Sequence, residues 1–248
     1  MSRQGLVWSR ARVERNWALL PAEGVAESVL PEWEGTVAKI QAAPAMGAGF
    51  AQYDLTLAAR GGTQQSLPDH VEAFVYVLAG EVRCDVNGSG HVLGTGGFVY
   101  MRPGSRFMIT ADASARLLWL KKRFVAFGTS RPHDVVGNEQ QMPGETYMGF
   151  EGLILKTLIP VETAWDMAMN IFTFPLGASL PVVETHVMEH GLVMLQGQGL
   201  YYLGREWLEV QSGDFIWMGP YVPQSFYATG AGPARYIYYK DVHRDVPL

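Results

Sequence analysis

The sequence predicts an all-β protein of two tandem, related domains, and three observations predict it. First, 28 Gly and 14 Pro are spread along 248 residues, which suits short strands joined by many turns. Second, the β-branched and aromatic runs Phe74–Leu78, Phe98–Met101, Leu200–Leu203 and Phe215–Met218 are each bounded by Gly, Pro, Asn or Asp. Third, the chain repeats itself. Val75 to Gly80 and Gly97 to Gly104 have counterparts in Val193 to Gly197 and Gly213 to Pro220. Gly80 pairs with Gly197 at a shift of 117 residues and Gly97 with Gly213 at 116, an apparent insertion of one residue.

Within the first copy, Glu81 to Val86 alternates, so that Val82, Cys84 and Val86 face inward while Glu81, Arg83 and Asp85 face outward. Asn87-Gly88 then supplies the two positive-φ residues of a tight hairpin turn. The polar stretch 124–147, with its Pro, Gly, Asn and Asp residues, reads as a linker between a domain over 35–123 and another over 148–248. Residues 1–34 match neither copy and read as an N-terminal arm.

Composition excludes several partner classes. A net charge of −5 and no Lys/Arg-rich run leave no basic field for nucleic acid. The single cysteine, Cys84, precludes an intrachain disulfide, and a thiolate zinc cluster needs several. Residues 1–15 carry four arginines without the apolar stretch of a secretory signal, and no apolar run approaches the roughly 20 residues of a membrane-spanning helix. The expectation is a soluble, cytoplasmic protein with a small-molecule substrate and no membrane or nucleic-acid partner. The unmatched arm and many aromatics suggest a homo-oligomer.

The segment Val183 to Gly191 carries the chemistry. Taken as a strand, its period of two sends Glu184, His186, Met188 and His190 to one face. A lone His or Glu in a β protein is usually a satisfied polar residue, but a carboxylate and two imidazoles on one apolar face cost several kcal/mol to bury without a cation or partners. Two imidazoles and a carboxylate suit Mn²⁺, Fe²⁺, Ni²⁺, Co²⁺ or Zn²⁺. Glu189, on the opposite face, reads as solvated or at an interface. Tyr100, Trp119, Trp207 and Trp217 read as core or subunit interface, and His91, His133 and His243 receive no chemical role.

This pattern resembles the cupin motifs. His190 and Gly197 keep the spacing between the last ligand of the first motif and its glycine, with His190 where cupins usually have glutamate. Gly213 opens the second motif, Gly219 replaces its proline, and Gln224 falls where its histidine ligand would be. The fold implied is a bicupin, two tandem double-stranded β-helix (jelly-roll) barrels. The set Glu184, His186, His190 and Gln224 is similar to that of the (S)-ureidoglycine aminohydrolases. So are Leu195 to Gly199, Gly213 to Gly219 and the tail Tyr236 to Asp245, with Gly61 to Gln65 and Val71 to Gly80 matching more loosely.

The resemblance implies hydrolytic release of ammonia from (S)-ureidoglycine to give (S)-ureidoglycolate, in purine (allantoin) ureide degradation. It also implies one Mn²⁺ per chain, in the C-terminal barrel, held by Glu184, His186, His190 and Gln224. Glu184 would double as a proton shuttle, Lys240 would pair with the substrate carboxylate, and Tyr201 and Tyr236 would orient the substrate. In the N-terminal barrel Asp69, Ala73 and Met108 or a neighbour match His186, His190 and Gln224, so no metal is expected there. His70 and Glu72 read as a surface pair or a hydrogen-bonded structural element. The alternatives are another metal-dependent bicupin enzyme, a dioxygenase or decarboxylase, and a non-catalytic ligand-binding cupin.

Overall fold

The computed structural model describes residues 10–245. It is all-β, with sheets of 10, eight and three strands. Two compact units emerge, one formed by 26–142 and 158–166, the other by 1–25, 143–157 and 167–248. This division departs from the repeat-based boundaries. Trp17–Leu20, in the expected arm, pairs with Phe215–Met218 and so extends a sheet of the second unit. Val135–Asn138, in the expected linker, pairs with Gly97–Met101. Both additions give ladder partners to backbone groups that an edge strand would leave open, and neither segment carries a repeat signature that would have announced them. The first nine residues of the arm lie outside the described residues. Among the described residues no helix is long and apolar enough to cross a membrane.

In the first unit the strand Phe50–Ser66 runs the length of the barrel. It pairs with Ala115–Arg123 over its first half and with Arg106–Thr110 over its second. Trp33, Tyr53, Val75, Val99, Phe107 and Trp119 are among the side chains that fill its core. Glu81–Val86 and Ser89–Gly94 form the expected hairpin, with Asn87 at φ 53 and Gly88 at φ 85. Val82, Cys84 and Val86 are buried and Glu81 and Arg83 exposed.

The second unit opposes the eight-stranded sheet to the three-stranded one, Gln198–Leu203 flanked by Glu206–Gln211 and Gln224–Ala228. Phe172, Phe174, Leu192, Ile216 and Phe226 belong to its core.

Register corrects the repeat. Ala73 faces Met101 as His190 faces Met218, and Val86 faces Phe107 as Leu203 faces Gln224. The shift is therefore a uniform 117 residues over these strands, and the expected insertion is absent. The turn glycine that matches Gly213 (φ 91) is Gly96 (φ 83). Their amides bond Val77 O at 2.9 Å and Met194 O at 2.8 Å. Phe107, not Met108, stands in the place of Gln224, and Met108 is exposed.

Gly80 and Gly197 share φ near +78. A Cβ at Gly197 would lie 2.5 Å from Pro233 O. Gly197→Ala should lower stability by about 2 kcal/mol or more, combining left-handed strain with this clash. Urea denaturation would read it, and a loss below about 0.5 kcal/mol would mean that the turn relaxes freely.

Candidate active site in the second barrel

The segment carrying Glu184 is not a regular strand. Glu184 makes an isolated bridge to Gln224, with Glu184 N to Gln224 O at 2.8 Å and the reverse at 2.9 Å. The chain then runs irregularly until the strand His190–Gln196 begins. Strict alternation is thus not what gathers the side chains. The bridge to Gln224 fixes one end and the strand fixes the other. The outcome expected of a strand is still reached: Glu184, His186, Met188 and His190 all line one cavity of about 140 Å³.

Gln224, Tyr201, Tyr236 and Lys240 line the same space, so the structure brings together every residue singled out from the sequence. Three strands aim them inward: Gln198–Leu203 for Tyr201, Gln224–Ala228 for Gln224, and Ala234–Asp241 for Tyr236, Tyr238 and Lys240. Tyr238 was not foreseen, although period-two alternation with Tyr236 and Lys240 signals it. Tyr147 was missed outright, because it sits in the expected linker and no motif marks it.

Polar contacts order the cavity. The Tyr201 hydroxyl lies 2.9 Å from Gln224 Oε1, and Gln224 Nε2 is 3.1 Å from His186 Nε2. The His186 and His190 rings are 4.7 Å apart, and Tyr238 stacks on His190 at 5.7 Å. The Tyr147 hydroxyl donates to Glu184 Oε1 at 2.7 Å.

Burial shapes the charges. His190 is pushed well below the usual histidine range by burial first, then by His186 and Lys240, which keeps its imidazole neutral. Tyr201 and Tyr236 are pushed up by burial first and then by neighbouring acidic groups, Glu184 among them, so both remain hydrogen-bond donors. Burial lowers Lys240, against the pull of Glu184 and Asp241, and its ammonium has no ion-pair partner among the described residues.

Whether these residues fit a cation can be judged from the donors. Among the described residues no group of three or more His, Cys, Asp and Glu side chains is already arranged to hold one, and the Glu184 carboxylate is engaged by Tyr147. Yet His186 Nδ1 is buried without a hydrogen-bond partner. A half-turn of the Gln224 amide would exchange its oxygen and nitrogen, turning the oxygen toward His186 Nε2 while Tyr201 stays in contact. Neighbouring donors of a six-coordinate ion, each about 2.1 Å from it, lie about 3 Å apart. The His186–Gln224 separation matches that spacing. The donor set, two imidazoles, an amide and a carboxylate, suits a divalent transition ion.

The first barrel keeps neither imidazole, and Phe107 replaces the amide of Gln224. Gln65 pairs with Phe107 as Glu184 bridges Gln224, and Ala73 stands in the place of His190. Its Glu72 is no surface residue. It is wholly buried, accepts from the Tyr100 hydroxyl at 2.6 Å and meets Lys122 at 3.3 Å, while His70 is exposed. Glu189, the counterpart of Glu72, is likewise buried rather than solvated, and Trp217 Nε1 donates to it at 2.7 Å. Tyr100, Trp119 and Trp217 are buried as expected, whereas Trp207 is half exposed and rests on Tyr202.

Fold and site together define a bicupin, and residues 55–121 match the cupin domain family. The chain is 38% identical to (S)-ureidoglycine aminohydrolase of Escherichia coli K12, over 99% of this chain and 96% of that protein. To the Arabidopsis thaliana enzyme of the same name it is 32% identical, over 96% of this chain and 80% of that one. It belongs to the (S)-ureidoglycine aminohydrolase family. The crystal structure of protein Ylba from E. coli superposes with a TM-score of 0.88 over the whole of both chains at 35% identity. Membership in this family sets aside the dioxygenase, decarboxylase and non-catalytic readings.

Proposed function

We propose that this protein is a metal-dependent hydrolase that releases ammonia from (S)-ureidoglycine, giving (S)-ureidoglycolate in the degradation of purine ureides. The observation that carries this reading is Lys240, without an ion-pair partner among the described residues, in one small cavity with Glu184, His186, His190 and Gln224. Drug-sized ligands take pockets of about 300 Å³ or more, so the cavity suits a small polar anion. Mn²⁺ is the ion proposed, held by Glu184, His186, His190 and Gln224. A bound divalent cation supplies Lewis acidity and anchors an anionic substrate.

The remaining work falls to side chains. Lys240 pairs with the substrate carboxylate as a point charge in a partly desolvated site. Tyr201 and Tyr236, kept protonated, donate hydrogen bonds that orient the ureido group. Glu184 moves a proton to the departing amine nitrogen while the oxygen of water bonds to the same carbon. The C–N bond and one O–H bond of water break, a C–O bond and an N–H bond form, and one water proton leaves in ammonia while the other stays in the new hydroxyl.

The test is ammonia release from freshly generated (S)-ureidoglycine by the Mn²⁺-reconstituted protein. Metal-dependent release is expected; release no faster than the spontaneous reaction, with metal bound, would discard the substrate. Lys240→Ala should raise KM about tenfold to a hundredfold, the worth of a hydrogen bond to a charged group. An unchanged KM would remove Lys240 from carboxylate recognition. We further propose a cytoplasmic homo-oligomer, supported by the exposed Phe127, Trp207 and Tyr221. A monomeric mass by light scattering would refute the assembly.

A further inference from the structure

Tyr147 enters the cavity from outside the recognisable repeat. It follows the edge strand Gly144–Thr146, and a tight turn joins it to Ile154–Thr157. Met148 at φ 50, Gly149 at φ 77 and Gly152 at φ 83 shape that turn. Tyr147 N bonds Leu153 O at 2.9 Å and Phe150 N bonds Tyr147 O at 3.0 Å, so both sides of the residue are tied down. Its ring stands edge-on to Phe172, with centroids 4.8 Å apart. Backbone and ring contacts together aim the hydroxyl at Glu184 Oε1, 2.7 Å away.

Glu184 needs such a guide. It lies where the chain has left regular strand structure, beside the exposed Val182 and Val183. Its side chain has no other hydrogen bond among the described residues: Oε1 is taken by Tyr147 and Oε2 is uncommitted.

The geometry points to Tyr147 as a positioning residue that commits Oε1 of Glu184 and leaves Oε2 as the single carboxylate oxygen acting in the cavity. The inference rests on the reading of Glu184 as a functional carboxylate. Without the hydroxyl, both oxygens can turn toward a cation, and a carboxylate that binds through both closes a position that the substrate needs. Hydrogen-bond partners behind metal ligands control activity in this way, their loss costing about tenfold to a hundredfold.

The experiment compares wild type, Tyr147→Phe and Glu184→Gln. Phenylalanine keeps the ring against Phe172, and thermal melting checks the fold. Each protein is titrated with Co²⁺ while its visible absorption is recorded, and kcat and KM for ammonia release are measured with Mn²⁺. For Tyr147→Phe the expected result is a changed Co²⁺ spectrum, affinity no weaker than wild type, kcat lower by about tenfold or more and KM within about twofold. Unchanged kcat, or Co²⁺ affinity falling in step with kcat, would overturn the assignment. Should the wild type bind Co²⁺ yet release no ammonia, the function reading fails separately and the spectra decide: superimposable spectra of wild type and Tyr147→Phe reject the positioning role.

Discussion

The His186→Ala, His190→Ala double variant, prepared beside the wild type from Mn²⁺-supplemented cells, is expected to carry no stoichiometric metal and to lose ammonia release by more than about a hundredfold. That exceeds the cost of altering groups behind the ligands, because two of the four proposed donors are gone. His190 is the more telling of the pair. Burial and its neighbours hold it neutral, the form in which an imidazole binds a cation. Elemental analysis and the ammonia assay read the result together. Metal retained at one per chain with activity intact would place the site elsewhere. Metal lost with activity intact would show that neither a cation nor the two imidazoles take part in the reaction.

The second large effect is expected in the first barrel and concerns stability. Lys122 Nζ lies 2.7 Å from Asp166 Oδ2 and 3.3 Å from Glu72 Oε1, its side chain 7% exposed and both carboxylates fully buried. Tyr100 donates to Glu72 and the Val125 amide to Asp166. Burial, and then Asp166, push the Glu72 carboxyl well up from the usual range. Lys122→Ala strands two carboxylates and should cost about 3–5 kcal/mol, measured by urea denaturation.

The loss should be smaller in acid. Glu72, already raised by burial, loses in the variant the one cation that pulls it down; its folded pKa lies above its unfolded one, so the folded state binds more protons and stability falls as pH rises through that window. A loss below about 1 kcal/mol at neutral pH, with no pH dependence, would mean that the lysine contributes little beyond its packing.

Much of this architecture could be read in the residues. The repeat, the Asn87-Gly88 hairpin and the strands around Phe98 and Phe215 follow from turn chemistry and patterning, which act over a few positions. The cavity residues were legible for a related reason: four polar groups in an apolar segment, or at fixed distances from Gly197 and Gly213, have few explanations. What escaped depends on pairing between distant segments. No local rule says that Trp17–Leu20 extends the sheet at Phe215–Met218, or that Tyr147 reaches Glu184. Register also eluded a repeat anchored on the wrong member of the Gly96–Gly97 pair. Only the strand partners identify Phe107 as the counterpart of Gln224. Glu189 looks solvated because it alternates away from its own barrel's core, yet Trp217 meets its carboxylate there, and Glu72 takes the hydrogen-bonded one of its two expected roles through Tyr100.

The exchanged segments also bear on descent. A protein built from two copies of one barrel could in principle be separated again into its halves. Here a cut at the repeat boundary would strip the second copy of its Trp17–Leu20 strand and leave the first with Lys122 and Glu72 but no Asp166. The two copies therefore depend on each other for complete sheets and a complete ion-pair cluster. Neither can be cut away without unpairing a segment of the other, although Ala73 and Phe107 of the first copy stand where the second has His190 and Gln224.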